Sequence, residues 1–164
     1  MRATATTRSI TDAHPELRAF WAELRASDPP AGVVNYSLGD VTRDQQGQNA
    51  ALASGASEAA WGQSPHNFSP ALALDIYPIV MDRPGHIGSP AVSTKSADYL
   101  RIRQIAESRG LTSGGGWTSP DWPHVEITGW RDLTDDDDTP APVQSLVLMA
   151  VAAVGVALIL WGTT

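Results

Sequence analysis

The chain reads as a small α+β domain, a mainly antiparallel sheet flanked by helices, followed by a C-terminal transmembrane helix. Three observations predict this. Strand-like and helix-like segments interleave, but the strands are few and the connections long, which argues against a doubly wound parallel sheet. Leu72–Tyr77 alternates in the manner of a half-buried strand, and Thr94–Arg109 repeats at helical spacing. From Val143 to Trp161 only Gln144, Ser145 and Gly155 fall outside the apolar class.

In chain order, Thr11 or Asp12 is expected to cap a first helix over Pro15–Arg25, with Pro in its first turn and Phe20, Trp21 and Leu24 on its apolar side. The Ser27–Gly32 segment, with two prolines and a glycine, ends it. Val33–Tyr36 reads as a short strand. A second helix starts near Thr42 or Asp44, includes Gln45, Gln48, Ala51 and Leu52, and stops around Gly55. In the strand Leu72–Tyr77, Leu72, Leu74 and Ile76 share one face while Ala73, Asp75 and Tyr77 share the other. Pro78 opens a loop that runs to Pro90. Tyr99, Ile102, Ile105 and Ala106 mark the buried stripe of the helix Thr94–Arg109, and Gly110 suits its C-terminal stop. A Gly114–Gly116 turn and a short strand, Pro123–Ile127, complete the domain at residues 1–132. An acidic, Pro- and Thr-containing linker follows at 133–142. The last segment, 143–161, would span about 28 Å as a helix rising about 1.5 Å per residue, close to the apolar thickness of a bilayer.

Composition removes several function classes. Net charge is −7, so no basic face is at hand to neutralise phosphates, and nucleic acid is not an expected partner. Cysteine is absent, which excludes disulfides, thiolate metal ligands and a cysteine nucleophile. What remains is a set of imidazoles and carboxylates. Ser64-Pro-His-Asn67 with Asp75, and much later Asp121-Trp-Pro-His-Val-Glu126, offer two histidines and an aspartate suited to one zinc ion. Three protein ligands leave a position for water, and Asp121, three residues before His124, is placed to act as general base. His14 and His86 sit among turn residues with no matching partner. The pattern points to a metallohydrolase.

These strings, together with Gly114-Gly-Gly-Trp117, resemble the VanY-type D-alanyl-D-alanine carboxypeptidase and L-alanyl-D-glutamate endopeptidase family of zinc peptidases, in its phage endolysin branch. The likeness covers about residues 33–130. It implies a hedgehog/DD-peptidase-like fold, His66, Asp75 and His124 as zinc ligands, and Asp121 as catalytic base. It also implies that Arg43, within Thr42-Arg-Asp-Gln45, holds the substrate carbonyl or carboxylate and stabilises the oxyanion. Two departures stand out. The loop from His66 to Asp75 is two residues longer than the commoner family pattern, an expansion at Ser69-Pro70, and the base is Asp where Glu is usual. Ser64, Trp117 and Glu126 are expected to support ligands or shape the pocket.

The resemblance implies a zinc-dependent peptidase of the peptidoglycan stem peptide, cutting the L-Ala–D-Glu bond as an endolysin in host cell lysis. D-alanyl-D-alanine carboxypeptidase activity is the nearest alternative. Rival readings are a membrane-tethered wall-binding protein without catalysis and a holin-like disruptor acting through the tail. The expected partners are peptidoglycan, the membrane through 143–161, and a holin. The catalytic domain would act on periplasmic peptidoglycan while anchored by its tail.

Overall fold

A computed structural model describes residues 1–85 and 87–134. The expected anchor at 143–161, and the linker beyond residue 134, lie outside the described residues. Among the described residues no helix is long and apolar enough to cross a membrane. Residues 1–131 form one compact unit.

Its elements follow in the order α1 (Pro15–Ala26), β1 (Val33–Leu38), α2 (Gln45–Ala53), β2 (Ala73–Val80), β3 (Ala91–Val92), α3 (Ser96–Ser108), β4 (Thr112–Ser113) and β5 (His124–Glu126). The sheet runs β1-β2-β5-β4, with β3 beside the far end of β2, and every pairing is antiparallel. An α+β domain with a small antiparallel sheet is therefore what the chain forms.

Strand β2 organises the molecule. Its alternation sends Leu74 and Ile76 into a core shared with Leu17, Phe20 and Leu24 of α1, Tyr99, Ile102 and Ile105 of α3, and Val125 of β5. Burying each large apolar side chain stabilises the fold by about 1.5–3 kcal/mol, so this layer fixes where β2 lies and which face it turns outward. The outward face carries Asp75 and Tyr77. Exposed ion pairs from Arg109 to Glu23 (2.9 Å) and Glu16 (3.5 Å) join α3 to α1, but such pairs contribute about 0–1 kcal/mol against the apolar contacts beneath them.

Two expectations need correction. Pro78 does not end the strand: β2 continues to Val80, with Pro78 opposite Tyr36. The carbonyl of Pro78 accepts from Ser93 N–H at 2.9 Å. Its missing N–H faces the gap between the end of β5 and the start of β3, where no ladder bond is lost. Next, α1 is capped by His14, whose Nδ1 accepts from Glu16 N–H at 3.3 Å, because Ile10–Asp12 forms a separate turn first. Strands β3 and β4, which sequence reading did not pick out, each consist of two residues, too few for alternation to be visible. Gly110 does stop α3: it has φ +75°, a conformation glycine adopts without a Cβ clash.

Candidate metal centre

His66 lies in a tight turn, Pro65–Asn67, that the sequence stabilises from both ends. Ser64 Oγ accepts from His66 N–H (3.3 Å), and Asn67 Oδ1 reaches back to accept from Ser64 N–H (3.3 Å), a reciprocal capping box. The buried Asn67 also accepts from Gly62 N–H and donates to Gln48 Oε1 (3.0 Å) and to the Arg43 carbonyl (3.3 Å). Gln48, fully buried on α2, donates in turn to Ser57 Oγ and the Ala59 carbonyl. This polar hub binds the His66 turn to the start of α2. A main-chain bond from Arg43 N–H to the His66 carbonyl, 2.7 Å, closes the same junction.

His124 arrives by a different route. It opens β5 opposite Asp75 of β2, so the two side chains emerge on the same face of the sheet. The segment before it is folded over the glycine turn, with Asp121 N–H donating to the Gly114 carbonyl at 3.0 Å. A Cβ on Gly114 would stand 2.5 Å from the Asp121 carbonyl oxygen and 3.1 Å from His124 Cβ. No side chain fits there. Hydrogen at that position is what lets Asp121 and His124 close onto the turn.

The result is a convergence of His66, Asp75 and His124, only 1%, 8% and 7% exposed. His66 Nε2 is 3.3 Å and His124 Nδ1 3.4 Å from the same oxygen, Asp75 Oδ1. Ligand atoms from all three lie within 4.8 Å of one another. Two ligands about 2.0–2.1 Å from one tetrahedral ion stand roughly 3.4 Å apart, which matches both contacts. The chemistry of the imidazoles agrees. His66 Nδ1 is 2.9 Å from the Val41 carbonyl, a partner that can only accept, so Nδ1 donates there and Nε2 is the nitrogen left to face a metal. That Nε2 is buried and makes no hydrogen bond. His124 Nε2 is 3.1 Å from Glu126 Oε2, which likewise leaves Nδ1 as the ligating nitrogen. These residues fit a divalent metal ion. The two-residue expansion at Ser69-Pro70, whose peptide bond is cis, does not separate His66 from Asp75.

Electrostatics sharpen the picture. Burial opposes ionisation of Asp75, but the two imidazoles gathered around it, His66 at 3.3 Å and His124 at 3.4 Å, outweigh it and hold the carboxyl well below the usual range. Burial also disfavours charge on His124. Hydrogen bonds to Asp75 and Glu126 overcome this and raise its pKa from 6.5 to about 9. Asp121 is open to the cleft, yet neighbouring protein displaces enough of its water to push its carboxyl above the ordinary value.

The centre lies in a cleft of about 1090 Å³ lined by Arg43, Tyr77, Trp117, Asp121 and Glu126 among others. Trp117, 40% exposed, packs against the His124 ring at 5.3 Å between centroids. Arg43 is nearly buried and holds Asp75 Oδ2 through Nη2 (2.8 Å) and Asp40 Oδ2 through Nε (2.8 Å). All eight residues singled out in the sequence therefore meet at this site: Ser64 beneath the His66 turn, the others along the cleft. Sequence reading missed Asp40, Asn67 and Gln48. Asp40 stands three residues before Arg43, a spacing that signals a pair only once the intervening turn is known. The Asn67–Gln48 contact joins two distant segments and leaves no local pattern.

No protein-family model matches the chain, and no curated protein matches it. Among solved structures it is similar to the L-Ala D-Glu endopeptidase ChiX of Serratia marcescens, with a TM-score of 0.53 and 26% sequence identity, over 81% of this chain and 93% of that one.

Proposed function

We propose that this protein is a zinc-dependent peptidoglycan peptidase that cuts the stem peptide at the L-Ala–D-Glu bond. The observation that carries the reading is the shared approach of His66 Nε2 and His124 Nδ1 to Asp75 Oδ1 at the floor of an open cleft. The likeness to ChiX, an L-Ala D-Glu endopeptidase, supports the choice of bond.

His66, Asp75 and His124 would hold the ion. Zinc bound by such a set lowers the pKa of a water molecule to about 7 and polarises a carbonyl oxygen. The chain's own groups do the rest. Asp121, made more basic by desolvation, takes up a proton at its carboxylate and returns it to the leaving amide nitrogen. Arg43 acts through Asp75, fixing which carboxylate oxygen faces the histidines, and Asp40 fixes Arg43. Glu126 accepts the Nε2 proton of His124 and sets that ring's orientation. Trp117 walls one side of His124 and limits the water that reaches it. In this reading the apolar segment 143–161 tethers the domain to the membrane. The protein then works as an endolysin on periplasmic peptidoglycan, alongside a holin.

Digestion of purified peptidoglycan by the full-length chain in mild detergent, followed by mass analysis, tests this. Zinc-loaded wild type is expected to expose new D-Glu amino termini, and chelator to stop the reaction. Asp121→Ala is expected to keep its zinc and lose turnover, whereas His124→Ala loses both. Wild type that binds wall fragments with zinc present but cuts none would overturn the reading.

A further inference from the structure

Strand alternation that carries Asp75 into the cleft carries Tyr77 with it. The cross-strand partners agree: Asp75 stands opposite His124, and Tyr77 opposite Ser37, which also lines the cleft. One face of the sheet thus presents a ligand imidazole, a ligand carboxylate and a phenol in succession, the last two about 7 Å apart along the strand. The backbone of Gly39 is shaped to this ring. A Cβ at Gly39 would lie 2.5 Å from Tyr77 Cε2 and 3.0 Å from Asp75 Cβ, and Gly39 N–H donates to the Asp75 carbonyl at 2.7 Å. The phenol is therefore seated beside the metal ligand by main chain rather than by an adaptable side chain.

Its hydroxyl has no hydrogen-bond partner among the described residues, yet it lies within electrostatic reach of Asp75, Tyr99, Asp121 and Asp40. Meanwhile Arg43, the residue expected to meet the oxyanion, has Nε and Nη2 committed to Asp40 and Asp75. A neutral O–H can approach a charge-gaining oxygen without first breaking an ion pair.

We propose that the Tyr77 hydroxyl is a catalytic hydrogen-bond donor to the scissile carbonyl oxygen as that oxygen becomes an oxyanion. Tyr77 keeps its proton throughout; no bond to the phenol forms or breaks. This rests on the peptidase reading above. The role requires the O–H and not the ring, so Tyr77→Phe separates them while leaving the ring on Gly39.

The test compares zinc-loaded, full-length wild type and Tyr77→Phe on a stem peptide containing L-Ala–D-Glu. A second measurement is binding of the same peptide with a phosphinate in place of the scissile amide. Loss of one oxyanion donor is expected to lower kcat roughly 100-fold, with zinc content and KM close to wild type. Phosphinate affinity should fall by a similar factor. A kcat within threefold of wild type, or unchanged phosphinate affinity, would overturn the assignment, and the phosphinate arm decides it even if the variant is less stable. Wild type that cuts no stem peptide would instead overturn the peptidase reading, so the two failures are distinguishable.

Discussion

His66 and His124 approach one carboxylate oxygen from two sides, but the protein holds them by different means. His66 is fixed by main chain: the Val41 carbonyl takes its Nδ1 proton, and a capping box shapes the turn that bears it. His124 is fixed by a side chain, Glu126, two residues along the same strand. A main-chain carbonyl cannot be titrated or substituted away. A carboxylate can be, and it raises the proton affinity of the ring it touches. The His66 end is oriented by a main-chain acceptor, whereas the His124 end can exchange a proton for a metal ion.

The largest effects come from removing either end. His66→Ala and His124→Ala are each expected to abolish zinc binding and turnover, with metal content read by atomic absorption. Retention of stoichiometric zinc by either variant would show that the ends are not both ligands. Next comes the hub behind His66. Asn67→Ala strips partners from Gln48, Gly62, Ser64 and Arg43, and each buried group left bare costs about 1–3 kcal/mol. Denaturant unfolding should show a loss well above that of an ordinary surface substitution.

Glu126→Gln probes the other end alone. Loss of a carboxylate behind a ligating histidine weakens metal affinity about 10–100-fold, so zinc competition titration should show a drop of that order with the fold intact. Unchanged affinity would mean that Glu126 does not orient His124.

The pH dependence has a defined sign. Without metal, His124 holds its proton up to about pH 9, so zinc must displace that proton at neutral pH. Apparent zinc affinity is therefore expected to rise with pH until about 9, with proton release measurable in weak buffer. For the metal-free protein, a raised histidine pKa gives stability that is complete below about pH 6.5 and is lost as pH rises through about 9. Glu126→Gln should shrink that loss in thermal melts with chelator present. The smallest effect is expected for Ser64→Ala, about 1 kcal/mol from the lost cap, with zinc stoichiometry retained.

The same contrast explains what was legible in the sequence. His66, Asp75 and His124 could be picked out because their residue types have few other joint uses and strand alternation already put Asp75 off the apolar face. Glu126 was readable through the same period of two. The supports of His66 were not: the Val41 carbonyl has no sequence signature, and Asn67 meets Gln48 only after α2 has packed. The extension of β2 through Pro78 was hidden because the proline's missing donor matters only where a neighbouring strand is present. Tyr77 was visible as a neighbour of Asp75 on one face, but its place in the cleft depends on the absence of a side chain at Gly39.

A crystal structure of the zinc-loaded protein, with anomalous scattering at the zinc edge, tests the metal centre most directly. The account predicts a single strong peak about 2.0–2.1 Å from His66 Nε2, His124 Nδ1 and an Asp75 oxygen, with Glu126 still on His124 Nε2. A peak elsewhere, or none in protein that remains active, would contradict it.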